Sequence, residues 1–145
     1  MRDGDYYMAY WLAKTEPESY SYADLERLGR DRWNGVKNFA ALKHIGTMEP
    51  GDLVFIYHTG KEKAIVGVAE VVSSAYPDPT ETDERFIVID IEPRYRLDRP
   101  VTLKEIKLNT VFQEWALVRQ SRLSVMPVTQ EHWLLIHSFS KTKVT

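Results

Sequence analysis

Apolar and polar positions alternate or cluster along this chain in short units that proline and glycine punctuate. Tyr10 to Thr15 (YWLAKT) reads as a strand ending at Glu16-Pro17, because the residue before proline is pushed toward extended geometry. Ser21 then caps a helix over YADLERL, with Asp24 in its first turn and Gly29 at its stop. A loop through Trp33-Asn34-Gly35 leads to a second helix from Phe39 to about Met48, ended by Pro50-Gly51. Asp52–His58 (DLVFIYH) and Ala64–Val72 are apolar on both faces and are joined by the polar Thr59–Lys63, which predicts a hairpin of buried strands with Gly67 as a bulge or bend. Ala75-Tyr76-Pro77-Asp78 reads as a turn. The run FIVIDIEPRYRL is a third long strand, with Phe86, Val88 and Asp90 on one face and Ile87, Ile89 and Ile91 on the other. Pro100-Val101-Thr102 caps a short helix at Leu103–Lys107, a helical turn follows near Val111–Trp115, Leu123 and Val125 suit an edge strand closing a barrel, and Thr129 caps a last helix from Gln130 to Ser138. Central strands with short helices around them predict an α+β fold, a small closed or nearly closed β-barrel of about five to six strands. One domain is expected over residues 8–140, with the polar residues 1–7 a leader outside it.

At 145 residues the chain has room for one core rather than two enzymatic domains, and four Trp, eight Tyr and five Phe supply its bulk. With no cysteine, disulfides, thiolate zinc sites and cysteine nucleophiles are excluded. The four His have no metal-ligand spacing, so neither metal nor cofactor is expected. No apolar run reaches bilayer length and the N-terminus lacks the apolar centre of a signal peptide, so a protein of the cytoplasm, or of the nucleus in a eukaryote, is expected. The net charge of −2 is not the footprint of a protein that grips nucleic acid mainly by its phosphates. It is unevenly spread: residues 1–92 carry 10 basic and 17 acidic side chains, and residues 93–145 carry 9 and 4. A basic C-terminal portion is either a solvated face or a local nucleic-acid surface.

Four clusters carry candidate chemistry. In Lys14-Thr15-Glu16, period-2 geometry sends Lys14 and Glu16 to one face, as an ion pair or a polar ligand contact, and Thr15 to the other. In Trp33-Asn34-Gly35-Val36-Lys37-Asn38, the indole is either a core plug or an exposed stacking platform, and Asn38 either caps the second helix or reads a base edge. Tyr57-His58-Thr59 ends a central strand, where His58 is either a satisfied structural residue or a pocket group. In Arg119–Pro127, two Arg among small hydroxyl residues suit phosphate contact. No phosphate-binding glycine loop and no nucleophile motif accompanies them.

In this order and at these distances, YWLAKTEPESYSYADL, WNGVKNFAALK, GDLVFIYHTG, IVGVAEVVSSAYPD, PVTLKEIK and RQSRLSVMPVTQEHW resemble the EVE domain, a member of the PUA-like superfamily related to YTH domains and to thymocyte nuclear protein. The resemblance implies a PUA-like barrel and a non-catalytic reader of a modified base in DNA or RNA, holding a flipped-out or single-stranded nucleotide in an aromatic-lined pocket. Carried over by position, that pocket would draw on Thr15, Glu16, Trp33, Val36, Lys37, Asn38, Tyr57, His58 and Thr59, with Arg122, Leu123 and Ser124 on the closing strand. The family's usual Ala-Arg-Asn in the second helix is here Ala41-Leu42-Lys43, which removes a planar Arg. Two alternatives remain: an amidohydrolase of the related ASCH type acting on a modified nucleoside through Lys14, Thr15 and Glu16, and a generic RNA-binding module. A single domain would mark a site by shielding the base or by recruiting a protein effector.

Overall fold

Thirteen short elements build one curled sheet with helices packed around it, in a computed structural model that describes residues 8–144. The expected leader at residues 1–7 lies outside the described residues. In chain order the elements are β1 (Tyr10–Thr15), α1 (Tyr22–Leu28), β2 (Asp31–Trp33), α2 (Phe39–Thr47), β3 (Leu53–His58), β4 (Ala64–Val71), β5 (Tyr76–Pro77), β6 (Ile87–Thr102), α3 (Leu103–Lys107), a 3-10 turn at Thr110–Phe112, α4 (Ala116–Arg119), β7 (Val125–Val128) and α5 (Gln130–Ser140). The helix starts follow local capping chemistry. Ser21 and Asp24 cap α1 reciprocally, Thr102 and Glu105 do the same for α3, and the side chains of Asn38 and Thr129 accept from the backbones of α2 and α5.

The strand order is β2-β6-β4-β3-β1-β7, with β5 added beside β6. β1 and β3 run parallel; every other pair is antiparallel. All six residues of β3 are buried, as a strand covered on both faces requires. Trp133 of α5 stacks on Phe55 at 4.0 Å and on Tyr10 at 4.4 Å between ring centroids, joining helix to sheet at the centre of the core. At one end of the core the buried Asp52 carboxylate accepts from the Ala9 and Glu49 backbone N–H groups and from Trp11 Nε1.

β6 is longer than its sequence pattern predicts because two bulges let it bend with the sheet. The register with β4 shifts between Val68 and Ala69, opposite Tyr95 and Pro93, and again between Ile65 and Gly67, opposite Val101 and Arg96. Pro93 and Pro100 fall at these irregular places, where a missing N–H does least harm. Gly67 sits where the Tyr22 ring presses against the strand, and an added Cβ there would lie 2.6 Å from Tyr22 Cε1.

Three segments differ from expectation. Arg122, Leu123 and Ser124, expected on the closing strand, lie in the turn and loop that lead into β7, because pairing with β1 begins only at Val125. Asp31–Trp33, read as loop, is a strand because it pairs with Ile89–Ile91 of β6. Tyr76–Pro77, read as part of a turn, pairs with Ile87–Val88, and Tyr76 Oη donates to Asp90 at 2.5 Å. The sheet is a half-barrel rather than a closed ring: β2 and β7 end it and do not pair with each other. Among the described residues no helix is long and apolar enough to cross a membrane, and no group of three His, Asp or Glu is placed to hold a metal ion.

Candidate functional site between the sheet ends

The curl of the sheet brings its two ends near each other, and a cavity of about 340 Å³ lies between them. That is the low end of the roughly 300–1,000 Å³ range of small-ligand pockets. Its walls are Lys14, Thr15 and Glu16 from the end of β1, Tyr20 before α1, Asp31 to Trp33 from β2, Asn34 to Lys37 after it, and Ser124 before β7.

Period-2 geometry on β2 explains the wall it supplies. Asp31 and Trp33 share one face, and Arg32, which also borders the cavity, alternates to the other, where its Nε donates to Tyr76 Oη at 3.3 Å. Trp33 is 8% exposed, so its indole is a wall of the cavity and a member of the core, not a platform on a loop. The Tyr20 ring meets it edge-on, with centroids 6.0 Å apart and planes at 82°. Tyr20 Oη is buried close to the Asp31 carboxylate; desolvation first, and then Asp31, pushes its pKa up. Gly35, at φ +79°, occupies the left-handed region that favours glycine and turns the chain at the cavity wall.

The end of β1 is braced by backbone and side chain together. Thr15 Oγ1 donates to the Tyr20 carbonyl at 2.7 Å, and the Thr15 carbonyl accepts from the Thr59 N–H at 2.9 Å. Lys14 N–H donates to the Ser124 carbonyl at 2.8 Å, and its Nζ donates to the Ser121 carbonyl at 2.9 Å, which holds the loop before β7 against β1. Burial lowers the Lys14 pKa. β1 ends at Thr15, so the alternation expected for Lys14, Thr15 and Glu16 stops there and all three border the cavity. Glu16 accepts from Thr59 Oγ1 at 3.1 Å.

Of the residues singled out from sequence, Thr15, Glu16, Trp33, Val36, Lys37 and Ser124 line this cavity. Lys37 is ion-paired with Glu81 and lies over the Phe86 ring. The others stand outside the lining. Asn38 Oδ1 accepts from the Ala41 N–H at 3.0 Å as the cap of α2. Tyr57 is 3% exposed, within the core, with Lys14 Nζ 5.7 Å from its ring centre. His58 Nε2 accepts the Tyr22 N–H at 3.0 Å, so Nδ1 carries the proton that it donates to Glu62 at 2.8 Å; the ring ties β3 to the first turn of α1. Leu123 is buried and Arg122 is exposed. Tyr20, Asp31 and Arg32 were missed, and Asn34 stood in the second cluster without a role. Asp31 was within reach of the pattern, because it stands two residues before Trp33 and shares its face once β2 is read as a strand.

A half-barrel whose two sheet ends clasp one polar, aromatic cavity is the PUA-like architecture that the motifs implied. Comparison with known proteins makes the assignment specific. The EVE domain family model matches residues 9–139, and the chain belongs to that family. It is 30% identical over 168 residues to thymocyte nuclear protein 1 of Mus musculus, covering 92% of this chain and 74% of that protein. Among solved structures, Rpa0253 from Rhodopseudomonas palustris superposes with a TM-score of 0.88 at 40% identity, over 92% of this chain and 94% of that one. Human THYN1, solved in complex with 5-methylcytosine-containing DNA, superposes with a TM-score of 0.84 at 26% identity, over 94% of this chain and 99% of that one.

Proposed function

We propose that this chain is a non-catalytic reader of a modified base, taken into the cavity between β1, β2 and the loop before β7. The observation that carries this reading is the cavity itself, which puts an indole and a phenol ring beside a half-buried carboxylate in a space suited to one small planar ligand. The DNA complex of human THYN1 supports it. A base reaches such a cavity only when flipped out or single-stranded. Contact with Trp33 would then contribute about 1–3 kcal/mol with little regard to base identity, or roughly 5- to 150-fold in affinity. Identity falls to edge contacts. Asp31 accepts but does not donate, which suits an exocyclic amine and opposes a keto oxygen at the same place. A modified cytosine therefore fits better than thymine.

The test is a titration with matched DNA and RNA oligonucleotides carrying cytosine, 5-methylcytosine, 5-hydroxymethylcytosine, acylated cytosine or thymine. Wild-type protein is expected to prefer a modified cytosine. Ser124→Phe fills the cavity from its edge and is expected to abolish the preference without lowering the melting temperature; Asp31→Asn should erase the preference for 5-methylcytosine over thymine. Equal binding across the panel, or a preference that survives Ser124→Phe, rejects the reading. A second reading, hydrolysis of an acylated cytidine-type nucleoside, is favoured by one observation: Lys14, Thr15 and Glu16 border the same cavity. Loss of the acyl group in those mixtures would select it.

A further inference from the structure

We infer that a lysine-lined groove beside the cavity is a second site on this protein, one that holds the phosphates of the strand whose base enters the cavity. The inference rests on the nucleic-acid reading above and adds where the backbone runs.

The groove has a volume of about 490 Å³ and lies between the β3–β4 connection and α3, lined by Lys61, Lys63, Lys104 and Lys107 together with Glu62, Thr102 and Leu103. The two parts form one scaffold, since the Leu103 N–H at the start of α3 donates to the Lys63 carbonyl at 2.8 Å. Lys63 adopts φ +46°, a left-handed conformation uncommon outside glycine. Lys104 and Lys107, three residues apart on a helix, share a face.

None of the four lysines makes an ion pair among the described residues, whereas both carboxylates of these segments are engaged. Glu62 accepts from His58 Nδ1 at 2.8 Å, and Glu105 accepts from Arg99 at 2.9 Å while closing the cap of α3. Four exposed lysines without an ion pair among the described residues thus line one concavity against the single carboxylate of Glu62, and the ligand chemistry this positive excess matches is a polyanion with repeated single charges.

Position links this groove to the cavity. β1 and β3 run parallel, so the β3–β4 connection leaves the sheet at the same end as Glu16. Glu16 lines the cavity and accepts from Thr59 Oγ1, and Lys61 follows two residues after Thr59. On the cavity's other flank Arg122, also exposed and without an ion pair among the described residues, precedes Ser124 by two positions. A strand with one base in the cavity would pass the lysine groove on one side and Arg122 on the other. The near-neutral protein therefore carries a local cationic track rather than a basic surface.

The experiment measures affinity against salt concentration for a single-stranded oligonucleotide with one 5-methylcytosine and for its unmodified twin. The proteins are wild type, the quadruple variant Lys61→Gln/Lys63→Gln/Lys104→Gln/Lys107→Gln, its all-arginine counterpart, and Ser124→Phe. Each lost phosphate contact flattens the slope of log K against log salt by about 0.7 on a single strand. Loss of two contacts predicts a slope shallower by about 1.4 in the glutamine variant, restored by arginine, with both oligonucleotides weakened by the same factor. An unchanged slope, with the wild type still preferring the modified strand, overturns the groove and leaves the cavity reading standing. A wild type without that preference overturns the cavity reading, and the slopes of the glutamine and arginine variants then decide the groove alone.

Discussion

Replacing Gly67 by alanine drives a methyl group into the ring of Tyr22. The added Cβ would lie 2.6, 2.8 and 3.0 Å from Cε1, Cζ and Cδ1 of that ring, all inside van der Waals contact. The ring has little room to yield, because Tyr22 is 1% exposed and its Oη donates to the Val68 carbonyl at 2.7 Å. Moving it far enough breaks that bond, which leaves a buried hydroxyl unsatisfied at a cost of about 1–3 kcal/mol. Strain from overpacking adds about 1–3 kcal/mol. The expected loss is about 2–6 kcal/mol, a large share of the roughly 5–15 kcal/mol that holds a domain folded. In urea, with m near 2 kcal/mol/M, the midpoint should fall by about 1–3 M at unchanged m. A cycle with Tyr22→Leu isolates the cause: once the ring is gone, adding Gly67→Ala should cost almost nothing more. A Gly67→Ala midpoint within about 0.3 M of wild type, or costs that simply add in the double variant, would refute the steric argument. The consequence reaches the site, since Tyr20 stands two residues before Tyr22 and walls the cavity.

Two further predictions concern what holds the scaffold. Asp52→Asn keeps the shape but puts an NH2 where a carboxylate oxygen accepts from backbone N–H groups and from Trp11 Nε1; it should cost at least about 2 kcal/mol in denaturant titration, and a smaller effect would mean the neighbouring donors find other acceptors. The hydrogen bond from Arg99 holds Glu105 well below its ordinary value of 4.5, at about 2. A depressed carboxylate stabilises the fold above its unfolded pKa, and that contribution disappears as pH falls from about 4.5 toward 2. Glu105→Gln should therefore lower stability by about 1 kcal/mol at pH 7, given the pair's exposure, with a gap from wild type that closes over that acid window. A gap independent of pH would remove the charge from the explanation.

The local grammar of the chain was readable without the fold. Capping residues Ser21, Asn38, Thr102 and Thr129 act on N–H groups a few positions away, so their chemistry is complete within a short window, and α1, α2, α3 and α5 begin where it says. The buried hairpin of β3 and β4 was equally plain, since a strand covered on both faces must be apolar at every position. The order of six motifs pointed to the EVE family, which the family match then showed.

Tertiary structure decided the roles that depend on distant partners. Asp31–Trp33 is a strand only because β6 lies beside it, and pairing across some sixty positions leaves no mark within three residues. His58, a candidate for either a structural or a pocket role, spends both ring nitrogens on Tyr22 and Glu62, contacts no periodicity encodes. Asn38 is held by its cap, while Tyr20 and Asp31, with no motif of their own, stand in the cavity wall. The cavity joins Thr15, Trp33 and Ser124 because two bulges bend a sixteen-residue strand and bring the ends of the sheet together. Residue types settle local geometry because that physics acts over a few ångströms of chain; which of them share a wall depends on the curvature of the whole sheet.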